Sequence, residues 1–275
     1  MSTVTASSKR EHRVTARSLA RRKRRGEPFS MLTAYDFAFS RIFDQAGIDV
    51  LLVGDSMGNV VQGRETTLPV TLDEVVYHSR MVVRGASRAL VVGDMPFGSY
   101  QVSPEDADLS AIRLVKEGGV HSVKLEGGQT MSATIERIVA AEIPVMGHVG
   151  LTPQAIHRMG GYRVQGRGEA SRQRVIEDAR AVEAAGAFSI VLEGVPADLA
   201  GEITASLSIP TIGIGAGPDC DGQVLVMHDL LGLNDWTPSF VKQYANLGSL
   251  ASQAARRFAE EVGNRKFPDE EHSYS

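Results

Sequence analysis

Asp55, Asp94 and Glu126 each close a short apolar run: Val50-Leu51-Leu52-Val53-Gly54-Asp55, Leu90-Val91-Val92-Gly93-Asp94 and Ser122-Val123-Lys124-Leu125-Glu126. Two more runs end in the same way, Pro144-Val145-Met146-Gly147-His148 and Ser189-Ile190-Val191-Leu192-Glu193. Carboxylates gathered without a cation repel one another, and oxygen donors of this kind suit a hard ion such as Mg2+. Taken singly, each could instead cap the next helix or loop; three at one place weaken that reading. Lys124 and Glu126 are two apart, so on a strand they share a face. They read either as an anion-binding cation beside a metal-binding carboxylate, or as an internal ion pair, because a buried Lys or Glu is costly unless paired. Glu193 follows apolar residues that raise a carboxyl pKa, which makes it a usable proton acceptor; the plainer alternative is a helix cap before Pro196. His148 either orients a substrate or moves a proton, or is a hydrogen-bonded structural histidine.

Groups so far apart in sequence meet only if something converges them. Strands are expected near 29–35, 49–55, 89–95, 122–127, 144–149, 189–194, 210–215 and 223–228. Helical patterns lie between: Phe37 to Ala46 stopping at Gly47, Leu72 to Ala86, Pro104 to Glu117 with Ser103 as its cap, Met131 to Glu142, Ser171 to Ala185, and a long last helix from Pro238 to Glu261. Strands alternating with helices imply parallel pairing through right-handed crossovers. Eight of them predict a closed (β/α)8 TIM barrel in a single domain, with an open doubly wound sheet as runner-up. In a barrel the strand C-termini share one mouth, where chemistry is done.

Two connections are long: 56–71, and 150–170 with its glycine-rich Gly160 to Gly168 stretch, which reads as a lid or as a plain surface loop. Gly213-Ile214-Gly215-Ala216-Gly217 follows the seventh strand, where barrels often hold phosphate on backbone N–H groups; the glycines could equally serve a tight turn.

Composition limits the alternatives. With 275 residues, 43% of them hydrophobic, the chain can bury a sizeable core. No apolar run approaches the ~18 residues of a membrane span. Cys220 is the sole cysteine, so neither an intrachain disulfide nor a cysteine-based zinc cluster can form, which fits a reducing, cytoplasmic setting. Residues 1–28 carry +7 of a net −4, leaving −11 for the remainder. No base-reading module accompanies this charge, so nucleic acid is not the expected partner; no apolar segment follows Arg21-Arg22, so an export signal is not expected. A solvated helix against an acidic surface is the plainer reading. The division expected is a basic extension and helix over 1–28, a catalytic barrel over 29–263 and a polar tail over 264–275, disordered from Pro268.

Longer words carry a resemblance. Leu32-Thr33-Ala34-Tyr35-Asp36, Val53 to Gly58, Thr66-Thr67-Leu68-Pro69-Val70-Thr71, Asp94-Met95-Pro96-Phe97, Val123 to Gly127, Gly147 to Gln154, and Gly213 to Gly217 continuing to Gln223 strongly resemble ketopantoate (3-methyl-2-oxobutanoate) hydroxymethyltransferases, from about Thr15 to about Arg257. The resemblance implies a (β/α)8 barrel that transfers a hydroxymethyl group from 5,10-methylenetetrahydrofolate to 3-methyl-2-oxobutanoate. The product is 2-dehydropantoate, on the route to pantothenate and coenzyme A. It further implies Mg2+ at Asp55, Asp94 and Glu126, the 2-oxo acid held by Asp55, Ser56, Asp94 and Lys124, and Glu193 as base, with His148 a possible accessory. Homo-oligomers, often decamers, are also implied.

The bottom-up chemistry agrees: a 2-oxo acid can chelate Mg2+, which stabilises the enolate formed when Glu193 removes the C3 proton. Two other classes stand beside this one. One is the metal-dependent 2-oxo-acid lyases of the phosphoenolpyruvate mutase and isocitrate lyase group, whose Lys-Lys/Arg-Cys-Gly-His word is absent here. The other is a non-enzymatic role for the basic N-terminus.

Overall fold

A computed structural model describes residues 13–274. Eight strands form: β1 (Phe29–Thr33), β2 (Val50–Val53), β3 (Leu90–Asp94), β4 (Ser122–Lys124), β5 (Val145–Gly150), β6 (Ser189–Glu193), β7 (Thr211–Ile214) and β8 (Gly222–Leu225). They close in sequence order into one parallel barrel, the (β/α)8 domain expected. Every strand falls within a residue or a few of the stretch its apolar run marked, which excludes the open sheet.

Local chemistry sets the crossover helices. Asp36 accepts from Phe39 N at 2.8 Å and starts Phe37–Gln45. Thr71 and Glu74 form a capping box on Leu72–Gly85. Ser103 Oγ accepts from Asp106 N at 3.0 Å, with Pro104 in the first turn of Pro104–Arg113. That helix ends in a wider turn, Leu114–Gly118. Ser132–Ala140, Glu169–Ala184 and Ala197–Ser206 complete the crossovers, the last without a counterpart among the sequence expectations.

The helix Ala16–Arg25 closes the barrel floor. Leu19, fully buried, joins Val14, Phe29, Met31, Val50, Leu90 and Val224 in one apolar cluster. Arg22 pairs with Asp49 at 2.8 Å, Lys23 pairs with Asp221 at 2.8 Å, and Val14 N bonds Arg88 O at 2.8 Å. All three partners stand just before strands, so this helix sits at the N-terminal mouth, opposite the expected chemistry. The solvated basic helix is therefore half right: Arg17, Arg21, Arg24 and Arg25 point away from the core, but Leu19 anchors it. Lys9 and Arg10 of the same stretch lie outside the described residues.

The chain divides into two compact units, Met1–Val224 and Leu225–Ser275. The second holds a short helix, Met227–Leu230, and a helix over Leu247–Gly263 that has no buried residue. The last helix thus starts nine residues later than Pro238. Pro238 opens a single turn, closed by Val241 N on its carbonyl at 3.0 Å, and the first side-chain cap comes from Asn246, which accepts from Ser249 N at 3.2 Å. Phe267 packs its ring 5.5 Å from that of Phe258, and the residues from Pro268 to Tyr274 are exposed. Among the described residues no helix is long and apolar enough to cross a membrane.

Candidate active site

The strand ends do converge. Asp94 and Lys124 are the last residues of β3 and β4 and are register partners. Asp55 lies two residues past β2, Glu126 two past β4, His148 is within β5, and Glu193 ends β6. Asp55, Asp94, Lys124, Glu126 and His148 are all buried; Glu193 is partly open to solvent. Asp55 Oδ2 accepts from the Gln154 side chain and Glu126 Oε2 from Gln154 N in the turn after Thr152, while the helix Ala197–Ser206 has no side-chain cap, so Glu193 does not cap it.

Lys124 Nζ reaches both Asp94 oxygens, at 2.7 and 2.9 Å. The pairing of Lys124 with Glu126 considered from sequence is replaced by a pairing across strands, because a neighbour in register is closer than one two residues along. Glu126 turns instead to His148 Nδ1 at 3.5 Å and to Gln154 N at 3.0 Å. On its other side His148 Nε2 stands 3.2 Å from Glu193 Oε2. His148 thus stands between two carboxylates, one facing each ring nitrogen. Ser56 Oγ lies 2.9 Å from Tyr35 Oη, at the rim beside Asp55.

Charge in so dry a place shifts the protons of the five buried groups. Burial raises the Asp55 carboxyl most, and the Asp94 and Glu126 charges add to it, lifting it to about 8. Asp94 is also raised by burial, against the pull of Lys124. Glu126 ends below the ordinary carboxylate range: burial raises it, but His148 and Lys124 outweigh that. Burial and Lys124 push His148 down, yet Glu126 and Glu193 prevail and lift it to about 9, so it is a cation at neutral pH. Lys124 stays charged because Asp94, Glu126 and Asp55 overcome its burial.

The donor set fits a hard divalent cation. Asp55 and Asp94 adjoin, with Asp55 N 3.4 Å from Asp94 Oδ2, and every donor is a carboxylate oxygen. Asp94 has Lys124 and Glu126 has His148, but the hydrogen-bond partner of the Asp55 carboxyl is a neutral amide, so a cation could take the place of its proton. Among the described residues no three Asp, Glu, His or Cys side chains are grouped as a metal site. Mg2+ can bind through one or two carboxylates, with water and substrate in the other places.

Backbone shape supports the arrangement. Gly150 has φ 93°, and a Cβ there would lie 2.4 Å from Glu193 O, so only glycine lets the end of β5 approach β6 this closely. After β7, Gly217 has φ 78° and no room for a Cβ against Ala197, which accounts for it as a packing glycine. In the long 150–170 connection, Gln165 N donates to Gly194 O at 2.8 Å, so this loop lies against the end of β6.

Sequence reasoning missed Gln154, Tyr100 and Tyr35. Tyr100 Oη donates to Gln154 Oε1 at 2.7 Å and accepts from Glu126 N at 3.2 Å. All carry neutral polar groups, which stand out less than strand-end charges, although Gln154 and Tyr35 lie inside the quoted words.

A parallel (β/α)8 barrel with buried acids, a lysine and a charged histidine at its C-terminal mouth defines an enzyme. The family profile described as ketopantoate hydroxymethyltransferase matches residues 13–270. A protein of Pelobacter propionicus called 3-methyl-2-oxobutanoate hydroxymethyltransferase is 56% identical over 264 residues, covering 96% of this chain and 98% of its own length. One of the same description from Geobacter metallireducens is 57% identical, covering 92% and 95%. The chain belongs to the ketopantoate hydroxymethyltransferase family and is a transferase. Among solved structures, 2,3-dimethylmalate lyase, a PEP mutase/isocitrate lyase superfamily member, matches with a TM-score of 0.59 at 18% identity, covering 94% of this chain and 91% of that one. A putative phosphonomutase from Burkholderia cenocepacia matches at 0.61 and 16%, covering 90% and 99%. These share the fold. Family membership sets aside both the lyase reading and the non-enzymatic one.

Proposed function

We propose that this chain transfers a hydroxymethyl group from 5,10-methylenetetrahydrofolate to 3-methyl-2-oxobutanoate, giving 2-dehydropantoate for pantothenate synthesis. The observation that carries this reading is the buried Asp55–Asp94–Lys124–Glu126 group beside the Glu193–His148 pair, in a chain whose relatives bear that name.

Asp55 and Asp94, with Glu126, would hold Mg2+; when bound, it draws electron density from the ketone oxygen and favours loss of the adjacent proton. Lys124, kept charged, offers the substrate carboxylate a buried cation, and Ser56 Oγ a hydroxyl at the rim. Glu193 is the base for the C3 proton. Its Oε2 leans on His148, while Oε1 has no protein partner and is left for substrate. The carbon so activated attacks the folate-borne methylene, and water supplies the hydroxyl oxygen as tetrahydrofolate leaves.

Residues 29–263 are the catalytic part in this reading, with 1–28 and 264–275 as flanks. The protein acts in the cytoplasm, as its single cysteine suggests, and as a homo-oligomer of the decameric kind. The uncovered Leu250, Phe258 and Val262 of the last described helix favour self-association. The test is 2-dehydropantoate formation from the oxo acid. Product should require both the folate and Mg2+, cease on chelation and return with added Mg2+. Full turnover after exhaustive chelation, or no product with both present, would overturn the reading.

A further inference from the structure

We propose that Gln154 is a positioning residue that fixes the direction of the Asp55 carboxylate while leaving its charge free for a divalent cation. This rests on the reading above.

Gln154 is buried and satisfies five contacts. Its Nε2 donates to Asp55 Oδ2 at 2.9 Å and to Met95 O at 3.0 Å; its Oε1 accepts from Tyr100 Oη at 2.7 Å and from Gln101 Nε2 at 3.3 Å; its backbone N donates to Glu126 Oε2 at 3.0 Å. One residue from the loop after β5, through its side chain and its backbone N–H, thereby ties the ends of β2, β3 and β4. The Met95 carbonyl can only accept, so the amide nitrogen must face it, and Asp55 Oδ2 must then receive the second hydrogen. The Tyr100 hydroxyl already accepts from Glu126 N, so its own hydrogen goes to Oε1.

The choice of an amide has a consequence. A lysine or arginine in this place would orient Asp55 equally well but would also neutralise it, and so compete with a cation. A neutral donor holds Oδ2 and leaves Oδ1 without a hydrogen-bond partner among the described residues. Partners that orient a metal-binding carboxylate from behind typically change metal affinity by ~10–100-fold when removed.

The experiment measures Mn2+ binding to the full-length protein without substrate, from the electron paramagnetic resonance signal of free Mn2+. Gln154→Met keeps the size and removes the polar contacts. It should bind Mn2+ about 10–100-fold more weakly per folded chain, and its crystal structure should show Asp55 turned from the parent direction. A purely structural role would lower Tm and leave Mn2+ affinity per folded chain unmoved. Affinity within about twofold of the parent, with Asp55 within ~0.5 Å of its parent position, overturns the inference. If Gln154→Met does not fold, Tyr100→Phe decides: the loss of one hydrogen bond to Oε1 should weaken Mn2+ by about fivefold, and unchanged affinity overturns the inference. A parent protein that binds no Mn2+ would sink the cation reading; the Asp55 position in the variant crystal then decides the inference separately.

Discussion

Lys124 Nζ stands 2.7 Å from one carboxylate oxygen of Asp94 and 2.9 Å from the other, and both side chains are almost wholly buried. They meet because Asp94 and Lys124 are paired in register on adjacent strands. Removing one member of such a pair leaves the other charged and dry, which usually costs far more than the pair itself contributes.

Lys124→Ala should therefore have two effects. Stability should fall by about 3–5 kcal/mol as Asp94 loses its partner, read from denaturant midpoints. In the protein that still folds, KM for the oxo acid should rise well beyond that for the folate. An unchanged oxo-acid KM in folded protein would remove Lys124 from the substrate site.

Glu193→Gln should bind the oxo acid yet hardly exchange its C3 proton, because glutamine matches the shape but cannot accept a proton. Loss of a general base lowers rate by roughly 10²–10⁴-fold. The measurement is deuterium exchange at C3 with Mg2+ present and folate absent. Exchange at the parent rate would point to another base, with His148, 3.2 Å from Glu193, the first to examine.

The metal-free protein should lose stability as pH rises. His148 is lifted from 6.5 to about 9, so its contribution is fully present below about 6.5 and is lost as pH climbs through about 9. Asp55 is lifted from 3.8 to about 8, so it acts in the same direction: the folded form holds a proton the unfolded chain has released, and the advantage fades as pH rises through about 8. Urea midpoints in the presence of a chelator should fall steadily between about pH 6.5 and 9. Saturating Mg2+ should reduce that slope, since a cation replaces the Asp55 proton. A midpoint that rises over this window would show that the acid cluster is not raised as described.

Leu19→Ala should destabilise the protein by about 2–5 kcal/mol, since Leu19 is wholly buried in the barrel floor. Removal of residues 1–8 or 268–275, neither of which shows apolar periodicity, should leave turnover per folded chain intact. Thermal melts of the first and steady-state assays of the truncations check the two halves. A truncation that assembles normally but loses activity would contradict the second.

Much of this architecture was legible in the residue string, for a reason that can be stated. Strands buried on both faces must be continuous apolar runs, so Val50 to Val53, Leu90 to Val92 and Ser189 to Leu192 advertise themselves, and a charge at the end of such a run has few reasons to be there. Caps such as Ser103 and stops such as Gly47 act over three or four residues and are equally local. The late start of the last helix was harder, because a proline marks a permissible first turn without supplying the cap that Asn246 provides.

Partnership was not legible. Whether Lys124 meets Glu126, two residues along its own strand, or Asp94, thirty residues earlier, depends on the register of β3 against β4, and register is a property of the closed barrel. The same holds for His148 between Glu126 and Glu193, and for Gln154, whose amide joins three strand ends from a loop that no local pattern directs there. The sequence by itself determined which residue types lie at the ends of which strands. The tertiary structure decided which carboxylate is neutralised by a cation, which is oriented by an amide and which is left with a free oxygen, because burial and charge act over distances of a few ångströms that only the folded barrel sets.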